Sequence, residues 1–273
     1  MLGRILVAVV GVPLLIAVLL FCPPVCLPVA LGALCGIAVY ELLYITGVVK
    51  NKRVVLYAIL FSTLVPFWYY FGCQMIWAVA ALFLFMLLLF GEAIASKQQM
   101  KVEEIALSVF GAVLISMMLS IFVLIADVDH AKFYLLLPFV AAFSSDAFAL
   151  FAGMALGKHK LAPTLSPKKT IEGSIGGFFG AAICCVLYGV VVQVAFGHYP
   201  TYPVLILYGL LGSFVSQIGD LSFSYIKRQY GLKDYGHLFR EHGGVLDRFD
   251  SVIFCAPLTY LLVTIIPFFQ YNV

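Results

Sequence analysis

Long apolar runs, separated by short polar breaks, dominate the pattern of this chain. Nine runs approach the roughly 20 residues that a helix needs to cross a bilayer, and they cover approximately 4–22, 26–46, 54–71, 73–91, 104–126, 132–153, 174–196, 203–225 and 250–270. The breaks fall mostly at glycine, proline and aspartate residues, which commonly interrupt helices. The pattern therefore predicts an all-α polytopic membrane protein with about nine transmembrane helices.

The first run has a signal peptide as its alternative interpretation. It begins at Arg4, ends before Cys22-Pro23-Pro24 and is about long enough to span the membrane. Since no clear small-x-small cleavage site precedes the proline pair, we interpret this run as the first transmembrane helix.

The lysine and arginine residues indicate how the helices are oriented. With nine helices, alternate connections place 15 of the 16 cationic residues on one side of the membrane and leave only Lys132 on the other. Cytoplasmic loops carry such an excess of positive charge. We therefore expect a cytoplasmic N-terminus and an active site at the cytoplasmic membrane boundary.

Composition supports a membrane protein and excludes other classes. An apolar fraction of 64% and a mean hydropathy of +1.10 lie outside the range of soluble domains. A net charge of +3 gives no reason to expect nucleic acid as a partner. The seven cysteines form no C-x-x-C pair with matching histidines, which favours buried thiols over a zinc site.

Small residues recur in two runs with the spacing of close helix contacts. They are Gly32 and Gly36 in the second run, and Gly173, Gly176, Gly177 and Gly180 at the start of the seventh. G-x-x-x-G spacings allow another helix backbone to approach closely. We interpret these glycines as packing residues and assign them no chemistry.

Charged residues are concentrated in one stretch near the end of the chain, Ser224 to Ser251. This stretch carries nine of the 29 charged residues of the protein. On a helix, Asp220, Ser224, Lys227 and Arg228 would share one face because of their spacing. An internal salt bridge is one interpretation of this face, and a metal ligand beside an anion site is the other.

Asp247 and Asp250 stand three residues apart at the start of the ninth run. Either could cap a helix, but two acids on one face, with Asp220 in a neighbouring helix, favour a site for a hard divalent cation such as Mg²⁺. Glu41, near the end of the second run, is interpreted as a side chain that snorkels to the interface or pairs with a loop lysine.

The segment Leu161 to Gly173 is a second polar cluster. Its Ser166, Lys169 and Thr170 offer hydroxyl, ammonium and backbone donors at the start of a helix, which suits a phosphate. The Walker A pattern is absent. Asp146 lies in the run that leads into this segment, and we expect it to support the site, with polar helix packing as the alternative.

These residues resemble the signature of the phosphatidate cytidylyltransferases, also called CDP-diacylglycerol synthases. The resemblance rests on three parts: Asp146, Gly153, Gly157 and the run Ser166–Gly173; Gly219–Leu221; and Ser224–Arg228, Lys233-Asp234, Gly236 and His242–Asp250. It covers about residues 140–255, whereas the first five runs match in hydropathy alone. Arg240 and Glu241 depart from the family, which usually carries proline and a small residue before His-Gly-Gly.

The resemblance implies the reaction of CTP with phosphatidate to give CDP-diacylglycerol and pyrophosphate, dependent on Mg²⁺, with a second cation left open. It implies a metal site at Asp220, Asp247 and Asp250, and catalytic roles for Asp220, Asp247, Lys227 and Arg228. It implies substrate contacts from Ser166, Lys169, Thr170, Ser224, His242, Gly243, Gly244 and Arg248. Two regions are expected: N-terminal helices over 1–130 and a catalytic region over 131–273.

The expected partners are CTP, phosphatidate drawn from the bilayer and membrane lipids, and the expected location is a bacterial cytoplasmic (inner) membrane. The oligomeric state stays open, a homodimer included. Two alternatives also stay open. An ion-coupled transporter would explain Asp146 and Asp220 but not the charged loop. A CTP-dependent lipid kinase would share the membrane setting and the Mg²⁺ requirement.

Overall fold

The computed structural model describes residues 17, 19–96, 100–236 and 243–269. Its helices are α1 (Cys26–Tyr40), α2 (Lys52–Phe71), α3 (Met75–Ala95), α4 (Val102–Val109), α5 (Ser116–Ala126), α6 (Ala131–Tyr134), α7 (Leu137–Leu156), α8 (Ile171–Phe196), α9 (Tyr202–Gln229) and α10 (Leu246–Ile265). Its two strands are β1 (Lys160–Ala162) and β2 (Ser166–Thr170). Two π-helical segments occur: Glu41–Ile45 continues α1, and Phe110–Ile115 joins α4 to α5.

Eight helical stretches in the described part of the chain are long and apolar enough to cross a membrane, from Cys26–Ile45 to Leu246–Ile265. They correspond to the second to ninth predicted runs, which are therefore confirmed as apolar helices of spanning length. The protein is an integral membrane protein. The first predicted run, 4–22, lies mostly outside the described residues.

The chain separates into two compact units. The first contains the described residues up to Asp127 together with 230–249, and within it α2 packs against α1, α3 and α5. A Cβ atom on Gly32 of α1 would lie 2.8 Å from the carbonyl oxygen of Thr63 on α2. The packing role of this glycine is confirmed. The predicted division near residue 130, between N-terminal helices and a catalytic region, depends on where the activity lies and stays a prediction.

The second unit contains residues 128–229 and the chain from Asp250 onward, and within it α8 packs against both α7 and α9. A Cβ atom on Gly176 of α8 would overlap the Cβ atom of Ala152 on α7, and one on Gly180 would overlap the ring of Phe148. The glycines of α8 are therefore packing residues, as predicted, and they bring α7 and α8 into backbone contact.

We expect Gly176→Leu to destabilise the protein by roughly 1–3 kcal/mol, the usual effect of overpacking a close contact. Thermal unfolding of the purified protein in detergent would measure the loss. Gly91→Leu is the matched control, because Gly91 is also helical but an added Cβ atom meets no atom within 4 Å there. Equal unfolding temperatures for the two variants would contradict the packing role.

Candidate active site

The predicted phosphate segment folds as a β-hairpin that leads into α8. Strand β1 pairs antiparallel with β2, with Lys160 opposite Thr170 and Ala162 opposite Ser166. Sequence analysis did not predict this hairpin, since strands of three and five residues rich in lysine and proline resemble a loop. Within β2, Lys168 is exposed and Lys169 is half-buried.

Thr170 has a structural role at the start of α8. Its Oγ1 accepts a hydrogen bond from Gly173 N at 3.1 Å, and the residue is buried at 8% exposure. Gly153, Gly157 and Gly173 all lie so close that a Cβ atom on any of them would meet the Thr170 hydroxyl at 3.0 Å or less. Thr170 is therefore the N-cap of α8, and its predicted contact with substrate stays a prediction.

Glu172 holds the entry to the hairpin in place. Its carboxylate accepts hydrogen bonds from Lys158 N at 3.1 Å and from His159 N at 3.2 Å, and it pairs with His159 Nδ1 at 2.6 Å. Sequence analysis missed both Glu172 and His159. An acid in the first turn of a helix is the signal that could have identified Glu172, because such acids accept from backbone donors at the helix start.

The hairpin and α9 meet in an ion pair between Lys169 Nζ and Asp220 Oδ2. The two side chains are 27% and 24% exposed, so the pair is partly open to solvent. Ser224 Oγ donates a hydrogen bond to Asp220 Oδ1 at 3.3 Å. Three residues that sequence analysis assigned to the site are thus brought together, although they come from two separate segments of the chain.

A cavity of about 580 Å³ lies between α7, the hairpin, α8 and α9. Its charged and polar lining comprises Asp146, Lys160, Lys168, Lys169, Thr170, Ser174, Gln217 and Asp220. Its apolar lining includes Leu150, Met154 and Leu161, and Leu150 and Met154 are themselves 60% and 67% exposed on α7. The cavity therefore combines three lysines and two acids with an apolar side that belongs to an exposed helix face.

A ladder of polar side chains in α9 extends this site deeper into the helix bundle. Ser213 Oγ lies 2.7 Å from Ser145 Oγ of α7. Gln217 Nε2 donates to Ser213 Oγ at 3.1 Å and to the Ser174 carbonyl oxygen at 3.2 Å, and Ser174 Oγ donates to Gln217 Oε1. Sequence analysis missed Gln217, although its position one turn before Asp220 places it on the same stripe.

Asp250 lies in the same unit, near the start of α10. It is buried at 8% exposure, and its Oδ1 accepts from Ser251 N at 2.7 Å. Asp220, Lys227 and Asp146 all interact with it electrostatically. Lys227 is also buried, at 8% exposure. Two of the three predicted metal ligands therefore belong to one charged cluster, with a buried lysine among them.

Arg228 links α9 to the hairpin. Its Nε donates to the Leu165 carbonyl oxygen at 3.1 Å, in the turn between the two strands. The contact holds the turn beside the end of α9, which brings Ser166, half-buried at the start of β2, into the same region. Sequence analysis assigned Arg228 to phosphate binding, and that role stays a prediction.

In the first unit, Asp247 and Glu41 both bind backbone amides near the start of α10. Asp247 Oδ2 accepts from Tyr235 N at 2.8 Å and from Gly244 N at 2.9 Å. Glu41 is only 1% exposed and accepts from Val245 N at 2.9 Å and Leu246 N at 2.8 Å. The interpretation of Glu41 as a snorkelling side chain or a partner of a loop lysine is wrong.

Four residues predicted to contact substrate stand just before α10 in the sequence or in its first turn: His242, Gly243, Gly244 and Arg248. Gly243 has a φ of +77°, a conformation that favours glycine. Gly244 is buried, and Arg248 is exposed in the first turn of α10. His242 lies outside the described residues, as do Arg240 and Glu241.

Asp220 and Asp250 suit a Mg²⁺ ion whose other ligands come from water and substrate. In the part of the chain that the structure describes, no three His, Cys, Asp or Glu side chains are grouped so that they could hold a metal ion by themselves. Mg²⁺ in phosphate-transfer sites is commonly bound by one or two carboxylates, with water and substrate phosphates completing the shell. Asp220 and Asp250 fit that donor set.

Comparison with known proteins identifies the family of this chain. The model of the cytidylyltransferase family matches residues 2–266. The chain belongs to the cytidylyltransferase family, and the resemblance found in the sequence is confirmed.

Individual relatives are named more specifically. The chain is similar to the phosphatidate cytidylyltransferase of Bacillus subtilis, 36% identical over 180 residues, which are 66% of this chain and 65% of the relative. It is 41% identical over 130 residues to that of Staphylococcus epidermidis, 48% of either chain. It is 32% identical over 184 residues to that of Rickettsia felis, 66% of this chain and 81% of the relative. The chain thus spans less than two thirds of the length of the first two of these relatives.

Proposed function

We propose that the protein is a phosphatidate cytidylyltransferase, which transfers the CMP group of CTP to phosphatidate and releases pyrophosphate, as a step in phospholipid biosynthesis. The observation that carries this proposal is the pairing of Lys169 with Asp220 at the wall of a cavity that also holds Lys160 and Lys168. A cavity with this lining suits a polyphosphate. The relatives are named phosphatidate cytidylyltransferases, which points to phosphatidate as the second substrate.

The shape of the cavity suits two substrates of different polarity. Its lysines offer positive charge to phosphates, which are bound through charge-assisted hydrogen bonds. Its apolar lining at Leu150 and Met154 belongs to a face of α7 that is exposed, and in a membrane helix such a face meets lipid. We infer that phosphatidate enters sideways from the bilayer, while CTP arrives from the aqueous side.

The reaction needs positioning and charge neutralisation more than a reactive side chain. A phosphate oxygen of phosphatidate attacks the α-phosphorus of CTP, a new P–O bond forms, and the bond from the α-phosphorus to its bridging oxygen breaks. The bond electrons leave with pyrophosphate. Because both reactants are anions, cations that hold them in line lower the barrier. No side chain needs to become covalently attached.

Lys169 is the residue best placed to respond to substrate. Its ammonium group pairs with Asp220, and an ammonium group has three donors. It can therefore retain Asp220 and donate to a phosphate oxygen. Lys160 and Lys168 line the same cavity and add positive charge there. Lys227, which interacts electrostatically with Asp250, balances negative charge near the start of α10.

Mg²⁺ would be held by Asp220 and Asp250, and it supplies neutralisation of phosphate charge when bound. Asp247 stands one turn before Asp250 on α10, and we retain it as a third candidate ligand. The role of a second cation stays open.

We further propose that the N-terminus and the site lie on the cytoplasmic side of a bacterial inner membrane, since 15 of the 16 cationic residues fall on one side of the predicted topology. Cysteine labelling from outside intact cells tests this orientation. A cysteine at Lys132 should react with an impermeant reagent, whereas one at Lys168 should react only after the membrane is opened. The opposite result would overturn the orientation.

The activity is tested with purified protein in mixed micelles. We expect pyrophosphate release that requires CTP, phosphatidate and Mg²⁺ together, and that stops when phosphatidate is replaced by diacylglycerol. CDP release with diacylglycerol as acceptor would instead indicate a lipid kinase. Ion uptake into vesicles without any nucleotide consumption would indicate a transporter.

A further inference from the structure

Glu41 makes contacts that the proposed chemistry does not yet explain. It stands at the first position of the π-helical turn that continues α1, where Thr46 N donates to the Glu41 carbonyl oxygen at 3.3 Å. π-Helical turns are rare and occur frequently at functional sites. Its carboxylate is buried and reaches a segment more than 200 residues further along the chain, 204 and 205 residues away at its two partners.

The Glu41 carboxylate accepts hydrogen bonds from backbone amides at the start of α10, where the N-cap residue has no side-chain acceptor. The Val245 carbonyl oxygen accepts from Arg248 N and Phe249 N, at 3.0 and 3.1 Å, so Val245 is the N-cap residue of α10. Valine has no side-chain acceptor and is a poor N-cap. Glu41 Oε1 and Oε2 accept from Val245 N and Leu246 N instead, at the helix end where negative charge is favourable.

Two glycines make room for this contact. A Cβ atom on Gly244 would overlap the Glu41 carboxylate, and one on Gly236 would lie 2.7 Å from Glu41 Oε1. Asp247 ties the same segment together through Tyr235 N and Gly244 N. The backbone at Gly236 and at Gly244 thus leaves room for the Glu41 carboxylate, and Asp247 binds backbone amides in the same two segments.

We propose that Glu41 is a positioning residue, which fixes the first turn of α10 and thereby the direction in which that turn presents Asp247. The inference rests on the proposed function, because that function makes Asp247 a candidate ligand of Mg²⁺. Glu41 itself touches neither substrate nor metal in this role. It acts through two backbone amides, which is why its spacing in the sequence gives no hint of it.

The test uses Glu41→Gln in the full-length protein. An amide keeps the size of the side chain but retains one acceptor and gains two donors, so one of the two backbone N–H groups would face a donor. Residues that orient metal ligands typically change metal affinity or activity by about 10- to 100-fold when they are replaced. We expect a rise of that size in the Mg²⁺ concentration for half-maximal activity, with the unfolding temperature little changed.

Glu92→Gln is the matched control. Glu92 is also a partly buried glutamate in a membrane helix, with its side chain 14% exposed, and its carboxylate accepts from Asn51, Arg53 and Tyr57. It contacts no residue of 243–250 by hydrogen bond in the described chain. Glu92→Gln should therefore leave the Mg²⁺ requirement as in the wild type. Glu41→Asp, which withdraws the carboxylate by one methylene, should give an intermediate rise.

A second measurement needs no activity. Hydrogen–deuterium exchange should show faster exchange at the amides of 244–249 in Glu41→Gln than in the wild type, and no local change in Glu92→Gln. Unchanged exchange together with an unchanged Mg²⁺ requirement would overturn the proposal. Faster exchange throughout the protein, with fewer active molecules, would also overturn it, because it would show a general loss of stability. If the wild type itself lacks transferase activity, the proposed function fails, and the exchange result alone decides the role of Glu41.

Discussion

Asp220→Asn should reduce turnover by about 100- to 1,000-fold, as large an effect as removing one charge-stabilising group, because Asp220 would hold the Mg²⁺ that neutralises phosphate charge. Asparagine has nearly the same shape but no charge, so Lys169 loses its ion-pair partner and the cavity loses one of its two acids. The steady-state rate of CDP-diacylglycerol formation in mixed micelles measures the effect.

The control for this variant is Asp127→Asn, which makes the same substitution at an exposed aspartate outside the lining of the cavity. It should retain the wild-type rate. Asp220→Asn should also elute as a single species of wild-type size, because the ion pair is partly exposed and such pairs contribute little to stability. Near-normal turnover in Asp220→Asn would contradict both the metal site and the role of the cavity.

Asp250→Asn should be as severe, at about 100- to 1,000-fold in turnover, and should in addition lower the unfolding temperature. The second effect is expected because Asp250 and Lys227 are both buried and interact electrostatically. Loss of the carboxylate removes one negative partner of the buried lysine, and removing a partner from a buried charge pair is destabilising. Turnover per folded molecule and thermal unfolding separate the two effects.

The double variant gives the sharper result. Residues that act on the same group show strongly non-additive effects. If Asp220 and Asp250 hold one cation, the variant with both substitutions should be no slower than about the slower single variant. Losses that multiply would show that the two aspartates act independently, and would contradict a shared metal site.

The membrane helices could be predicted from sequence because an apolar run of spanning length is a signal within one segment. The stripe that contains Asp220 and Ser224 was equally local, and the hydrogen bond between them agrees with it. Lys169 was assigned to a phosphate-binding segment from its own surroundings in the sequence. Its ion pair with Asp220 joins two distant segments of the chain, which periodicity alone does not show.

The role of Glu41 depended on distant partners and could not be predicted, whereas the N-cap role of Thr170 could have been. Glu41 has no local sign of its role, since its hydrogen-bond partners Val245 and Leu246 are apolar residues that contribute only backbone amides. Thr170 was assigned to phosphate, which stays a prediction, and its hydroxyl also accepts from Gly173 N. A threonine immediately before a helix is an ordinary N-cap, so that role was available from the sequence.

The most direct measurement follows which phosphorus of CTP enters the lipid. Purified protein with phosphatidate and Mg²⁺ is given CTP labelled at the α-phosphorus in one reaction and at the γ-phosphorus in another. We predict that the α-label appears in the lipid and that the γ-label leaves with pyrophosphate. Transfer of the γ-label to lipid, with the α-label left in CDP, would contradict the cytidylyltransferase mechanism.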